Sequence, residues 1–320
     1  MKDKSNKSMG VRGNHPHPPR KSRRQKVFAV LPTLLTLCNA ACGFGAITIA
    51  ARVGPDHLGT DGAQAQQLGQ LITAAQLIFL AMLFDMLDGS AARLTNQTSD
   101  FGAQLDSLCD AISFGVAPAF ILLQLVHPEH HQFGTLAAIP EQFYPFLARI
   151  LWAIAVLFMV CAILRLARFN VETDEEDSHE FFSGLPSPAA AGVVASFPIG
   201  VRELQEMGGT RAPMFIKNTV ELAYPTLALL LPILTLAAAI LMVSRIRYAH
   251  VFNQMIRGRR SRIQILQIVF TMVLVFVVRE LALPVLFMAF AYSAPIRALW
   301  QRYVKSPPPN LAIQDEIDAA

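Results

Sequence analysis

The chain has 320 residues, of which 53% are apolar and only 16% charged, with a mean hydropathy of +0.41. Ordinary soluble domains run at about 45–50% apolar and about 25% charged, so a cytosolic globular enzyme, a disulfide scaffold and a disordered tail protein are excluded, and an integral membrane protein remains. The net charge of +4 is unevenly placed, with nine Lys/Arg against one Asp in residues 1–26. A basic tail ahead of an apolar run marks a cytoplasmic side rather than a nucleic-acid surface.

A bilayer core needs about 20 apolar residues per helix. On that measure the chain is all-α, with about eight transmembrane helices at 27–51, 70–94, 104–126, 148–169, 187–205, 219–244, 263–279 and 281–297. The first is too long for a secretory h-region and reads as an uncleaved anchor. The third is amphipathic at its start, and the fifth is short and punctuated by Gly and Pro. The last two meet at Arg279-Glu280 and form either a tight hairpin or one kinked element. With the N-terminus in the cytoplasm, 21 of the 27 Lys/Arg fall on that side, so both termini are expected there. Cys38, Cys42, Cys109 and Cys161 lie in or beside apolar runs and read as small buried hydrophobes.

The informative stretch runs from Phe84 to Pro118. Asp85 and Asp88 end one apolar run, and Asp106 and Asp110 open the next. Carboxylates at membrane depth are costly and mark functional sites. At 100° per residue the first pair lies about 60° apart and the second about 40°, so each pair shares a helix face. A short link at Thr95–Ser99 would fold the two helices into a hairpin on which all four acids converge. Such a cluster repels itself unless cations sit within it, and oxygen-only ligation suits Mg²⁺ or Mn²⁺, two ions rather than one, over zinc. Gly89 leaves backbone room beside Asp88, Ala92 keeps that face clear, and Arg93 offers a fork donor to a pyrophosphate. Gly102, one turn before Asp106, permits close helix approach. A transporter would spread its acids along several spans, whereas here all four sit at the rim of two.

The string Asp85-x2-Asp88-Gly89-x2-Ala92-Arg93-x8-Gly102-x3-Asp106-x3-Asp110 resembles, without a gap, the full signature of the CDP-alcohol phosphotransferases. The resemblance implies a six-helix core around a dinuclear metal site open to the cytoplasm, transfer of a phosphatidyl-type group from a CDP-linked donor to an alcohol with release of CMP, and a homodimer. Carried over, Asp85, Asp88 and Asp106 would hold one metal, and Asp85, Asp106 and Asp110 the other. Asp110 would also be the general base, and Gly89, Ala92, Arg93 and Ser99 would contact the CDP-lipid.

Flanking strings resemble the phosphatidylserine synthase branch of that family. They are Ser113-Phe-Gly-Val-Ala-Pro118, Arg165-Leu-Ala-Arg168-Phe-Asn170, Gly184-Leu-Pro186-Ser-Pro188, and Leu31 through Phe44 in the first span, where Thr33 stands in place of the branch's more frequent Asn. CDP-diacylglycerol and L-serine are therefore the expected substrates, with inositol phosphate or glycerol 3-phosphate as the alternative acceptors. Arg165 and Arg168 would fix the serine carboxylate, or else act as positive-inside anchors at lipid head groups, and Asn170 or Ser113 would meet the ammonium. The implied organisation is a basic cytoplasmic tail (1–26), a catalytic transmembrane core (27–205) holding the 85–110 motif, additional transmembrane helices (206–300) and a cytoplasmic C-terminal tail (301–320). The expected location is a multi-pass membrane protein with its active site facing the cytoplasm, in the inner membrane if the cell is bacterial, without nucleic-acid partners.

Four other features read as non-catalytic. His127, His130 and His131 with Glu129 lie in a loop assigned to the outer face, and Glu172–Glu180 reads as a solvated acidic loop. The arginines from Arg245 to Arg262 serve topology or anionic lipid, and Trp152 and Trp300 fit interfacial anchors.

Overall fold

A computed structural model describes residues 23–54, 61–95, 100–126, 140–172, 181–209, 213–249 and 281–305. Within them the chain is helical: α1 (Arg23–Ala50), α2 (Asp61–Thr95), α3 (Asp100–Asp110), α4 (Ala117–Val126), α5 (Tyr144–Glu172), α6 (Ser187–Met207), α7 (Met214–Val243) and α8 (Ala282–Lys305). Seven of the eight expected spans coincide with these helices, and the eighth, 263–279, lies outside the described residues. Also outside are the basic tail to residue 22, the His127–His131 cluster, most of the Glu172–Glu180 run and the Arg257–Arg262 segment.

Among the described residues, four segments are long and apolar enough to cross a membrane: Leu31–Ala50, Ala65–Ala91, Phe101–Val126 and Tyr144–Val171. Their outer surfaces carry exposed Leu34, Phe44, Leu83, Leu108, Trp152 and Leu164, which water would not tolerate as a belt but hydrocarbon solvates. The protein is a helical membrane protein.

The all-α expectation holds, with one short extended pairing beside the helices. Two three-residue strands, β1 (Phe181–Ser183) and β2 (Arg247–Ala249), pair antiparallel with Phe182 opposite Tyr248. The pairing continues in the Gly184 amide on the Ile246 carbonyl (2.9 Å) and the Leu185 amide on the Leu241 carbonyl (3.0 Å). These bonds tie the entry of α6 to the end of α7. Backbone groups in a segment with no helical partner must find one elsewhere, which periodicity alone does not reveal.

The third span is one continuous rod with a break in its hydrogen-bond register. Ala111–Val116 is a π-helical turn between α3 and α4, and its Ser113, Phe114 and Gly115 are buried. Such turns are rare and occur often at functional sites.

Helix α6 forms the centre. Every residue from Ala189 to Val201 is buried, and the small side chains of Ala189, Ala190, Ala191, Gly192, Ala195 and Ser196 let neighbours approach. α2, α7 and α8 pack against it, while α1 packs chiefly along α2. The core joins Leu71 and Ile78 of α2, Phe114 and Ile121 of the third rod, Phe158 of α5 and Leu231 of α7. All four cysteines are free thiols, Cys109 and Cys161 buried, Cys38 and Cys42 half-buried.

Candidate metal centre and active site

α2 carries Asp85 and Asp88 on one face, and α3 brings Asp106 to meet them. One carboxylate oxygen of each lies within 4.8 Å of the other two. Asp88 is 5% exposed and the other two are half-buried. Three anions at that separation repel strongly wherever water is thin. Oδ1 of Asp106 is buried without a hydrogen-bond partner among the described residues, which costs about 1–3 kcal/mol if nothing else occupies it. An oxygen-only donor set with an unsatisfied carboxylate oxygen fits a hard divalent cation such as Mg²⁺ or Mn²⁺.

Asp110, one turn beyond Asp106, is not one of those three but belongs to the same electrostatic cluster, interacting with Asp85 and Asp106. It is 7% exposed. Asn39 of α1 donates from Nδ2 to its Oδ1 at 2.8 Å. A second contact from α1 reaches the cluster three residues earlier, where the Thr36 hydroxyl donates to Asp88 Oδ2 at 2.9 Å. α1 can lie this close because Gly43 faces the π turn. A Cβ there would stand 2.4 Å from Ser113 Oγ and 2.7 Å from its Cα.

Arg165 of α5 points to the same region, within electrostatic reach of Asp85 and Asp110. Its Nη1 donates to the hydroxyl of Ser187 at 2.8 Å, at the first turn of α6, and its Nε is buried with no partner among the described residues. Arg168, one turn earlier than Glu172 at the end of α5, is half-buried. Asn170 is engaged by Ser107 of α3, donating to its hydroxyl at 2.9 Å. The Ser113 hydroxyl donates to the Asn39 carbonyl at 2.9 Å and is fully buried. The polar groups of Asn170 and Ser113 thus have protein partners.

On the donor side, Gly89 is exposed and a Cβ at it would meet nothing within 4 Å. Ala92 and Arg93 lie on the last turn of α2. Ser99 and most of the link between α2 and α3 lie outside the described residues.

Four residues here had no role assigned from the chain alone: Thr36, Asn39, Ser107 and Ser187. Thr36 and Asn39 carried a usable signal, being polar, three apart and on one face of a largely apolar run. Ser107 and Ser187 carried none, since each acts through a partner 63 or 22 residues away.

Comparison with known proteins matches the family model CDP-alcohol phosphatidyltransferase over residues 29–216. The chain is 35% identical over 179 residues to a CDP-diacylglycerol–serine O-phosphatidyltransferase of Helicobacter pylori, covering 56% of this chain and 61% of that one. A Mycobacterium tuberculosis protein of the same name is 32% identical over 175 residues, with 53% and 49% covered. An archaetidylserine synthase of Methanothermobacter thermautotrophicus is 36% identical over 172 residues, with 53% and 58% covered. The chain therefore spans between about half and three fifths of these relatives' lengths.

Proposed function

Because the chain belongs to the CDP-alcohol phosphatidyltransferase family, we propose that it moves the phosphatidyl group of CDP-diacylglycerol onto the hydroxyl of L-serine, yielding phosphatidylserine and CMP. The observation that carries this reading is the convergence of Asp85, Asp88 and Asp106 beside Asp110. The serine-transferring names of the relatives favour serine over inositol phosphate or glycerol 3-phosphate.

In this reading Asp85, Asp88, Asp106 and Asp110 hold the cations, two of Mg²⁺ or Mn²⁺, which when bound neutralise the pyrophosphate and stabilise the departing CMP. Gly89, Ala92, Arg93 and Ser99 hold the CDP moiety, Gly89 by leaving the backbone open to close approach. Asp110 takes the proton of the attacking serine hydroxyl on the carboxylate oxygen that Asn39 leaves free. Arg165 turns its unpartnered Nε to the serine carboxylate, Arg168 adds a second cation, and Asn170 and Ser113 form walls whose polar groups are already held. The serine hydroxyl attacks the lipid-linked phosphate directly and in line.

The same reading retains the finer architecture: eight spans around a six-helix core, a homodimer, and a site opening to the cytoplasm of a multi-pass (in bacteria, inner-membrane) protein. It also retains the division into tail, 27–205 core, 206–300 helices and C-terminal tail. Purified protein in detergent with Mn²⁺ and CDP-diacylglycerol, offered each of the three acceptors separately, tests it. CMP release with serine alone is expected. Release with another acceptor alone would overturn the serine assignment, and release with none would overturn the transfer activity.

A further inference from the structure

The third rod addresses a single α1 residue at two points, one on each side of the start of the π turn. Asp110, the last residue before the turn, accepts from the Asn39 side chain at 2.8 Å, and Ser113, within it, donates to the Asn39 backbone carbonyl at 2.9 Å. Three residues apart, the two side chains lie on the same side of the rod and reach the same neighbour. Gly43, one turn after Asn39, gives Ser113 the space to do so. Asn39 is 0% exposed, so substrate cannot reach it. Its other amide atom, Oδ1, is buried with no partner among the described residues.

A carboxylate can only be met by the amino end of an amide, which leaves the carbonyl end unsatisfied here. A purely structural polar residue at a fully buried position would be expected to satisfy both ends. Asn39 satisfies only the end that touches Asp110. We propose that Asn39, locked by Ser113, is a positioning residue: it fixes the Asp110 carboxylate with Oδ1 occupied and Oδ2 turned to the acceptor hydroxyl. The inference rests on Asp110 acting as the base in the proposed reaction.

The test compares kcat and KM of the full chain in detergent for Asn39→Leu, Asn39→Asp and Ser113→Ala, with CDP-diacylglycerol and L-serine varied in turn. Leu matches Asn in heavy-atom number and offers no donor, and Asp sets a second carboxyl against Asp110, so neither holds Oδ1 with an N–H. Both are expected to lower kcat about 100-fold while each KM stays within about threefold, because neither substrate touches residue 39. Ser113→Ala, which deletes the hydroxyl's bond to the Asn39 carbonyl, is expected to lower kcat about fivefold with the donor KM unchanged. If Asn39→Leu does not fold, Asn39→Asp and Ser113→Ala carry the comparison. A kcat within threefold of the unaltered protein in Asn39→Asp, or a donor KM that rises in step with the loss, overturns the positioning role. Absence of CMP release by the unaltered protein instead removes the proposed reaction, and this inference with it.

Discussion

Thr36 of α1 and Asp88 of α2 are joined across the first two membrane helices by a 2.9 Å hydrogen bond, and the same hydroxyl lies 3.0 Å from the Pro32 carbonyl one turn earlier. Both side chains are buried. One oxygen of Asp88 is therefore held by protein, and the carboxylate cannot swing away from Asp85 and Asp106 without breaking that bond.

Thr36→Val keeps the shape and deletes the bond. Hydrogen bonds to charged groups are worth about 1.5–3 kcal/mol, so a lower thermal midpoint in detergent and roughly tenfold slower CMP release are expected. An unchanged midpoint together with unchanged turnover would show that Asp88 needs no support from α1.

Two glycines separate packing from substrate access. Gly43→Ala drives a methyl into the backbone of Ser113, so α1 must part from the π turn at about 1–3 kcal/mol, and both stability and turnover should fall. Gly89→Ala meets nothing within 4 Å, so its midpoint should hold while the KM for CDP-diacylglycerol rises. A Gly89→Ala protein with normal donor dependence would remove that residue from the donor site.

Gly184 has φ +87°, a left-handed conformation, and a Cβ there would lie 2.4 Å from the Met242 carbonyl oxygen. Gly184→Ala should lose at least about 1–2 kcal/mol from the backbone alone. The turn sets the start of α6 and thereby Ser187, the partner of Arg165. The expected readout is a lower midpoint with a raised serine KM, whereas a lower midpoint with normal serine dependence would uncouple the turn from the site.

Arg165→Lys retains a charge but not the fork that reaches Ser187 while leaving Nε free. Serine KM should rise about tenfold with the donor KM unchanged. A shift confined to the donor KM would move Arg165 to the other substrate.

Asp110→Asn should reduce turnover at least about 100-fold, the lower end of what a positioned base supplies, while CDP-diacylglycerol still binds. Chelation with EDTA should silence the unaltered protein, with Mg²⁺ or Mn²⁺ restoring it and Zn²⁺ failing to. Full activity in EDTA would refute the reading of the acid cluster as a metal centre.

Much of this architecture was legible in the chain because lipid imposes a length and a polarity on each helix. The runs at 27–51, 70–94, 104–126 and 148–169 emerge as α1, α2, the third rod and α5 for that reason. The acids were equally legible, since carboxylates in an apolar run stand out and helical spacing fixes which of them share a face. The break after Asp110 was not. Ala-Ile-Ser-Phe-Gly-Val has no composition that distinguishes a π turn from an α turn, and the seating of Ser113 against Gly43 is visible only in three dimensions.

Hydropathy, charge asymmetry and the spacing of four aspartates are local properties, so the chain alone specifies a membrane protein, its principal helices and the residue types of its acid cluster. Partnerships are not local. That Thr36 holds Asp88, Asn39 holds Asp110, and Ser187 holds Arg165 depends on helices 22 to 71 residues apart meeting at one depth and one rotation. Only the packing of the helices on one another, α1 along α2 and the third rod, and α2, α7 and α8 around α6, determines those rotations.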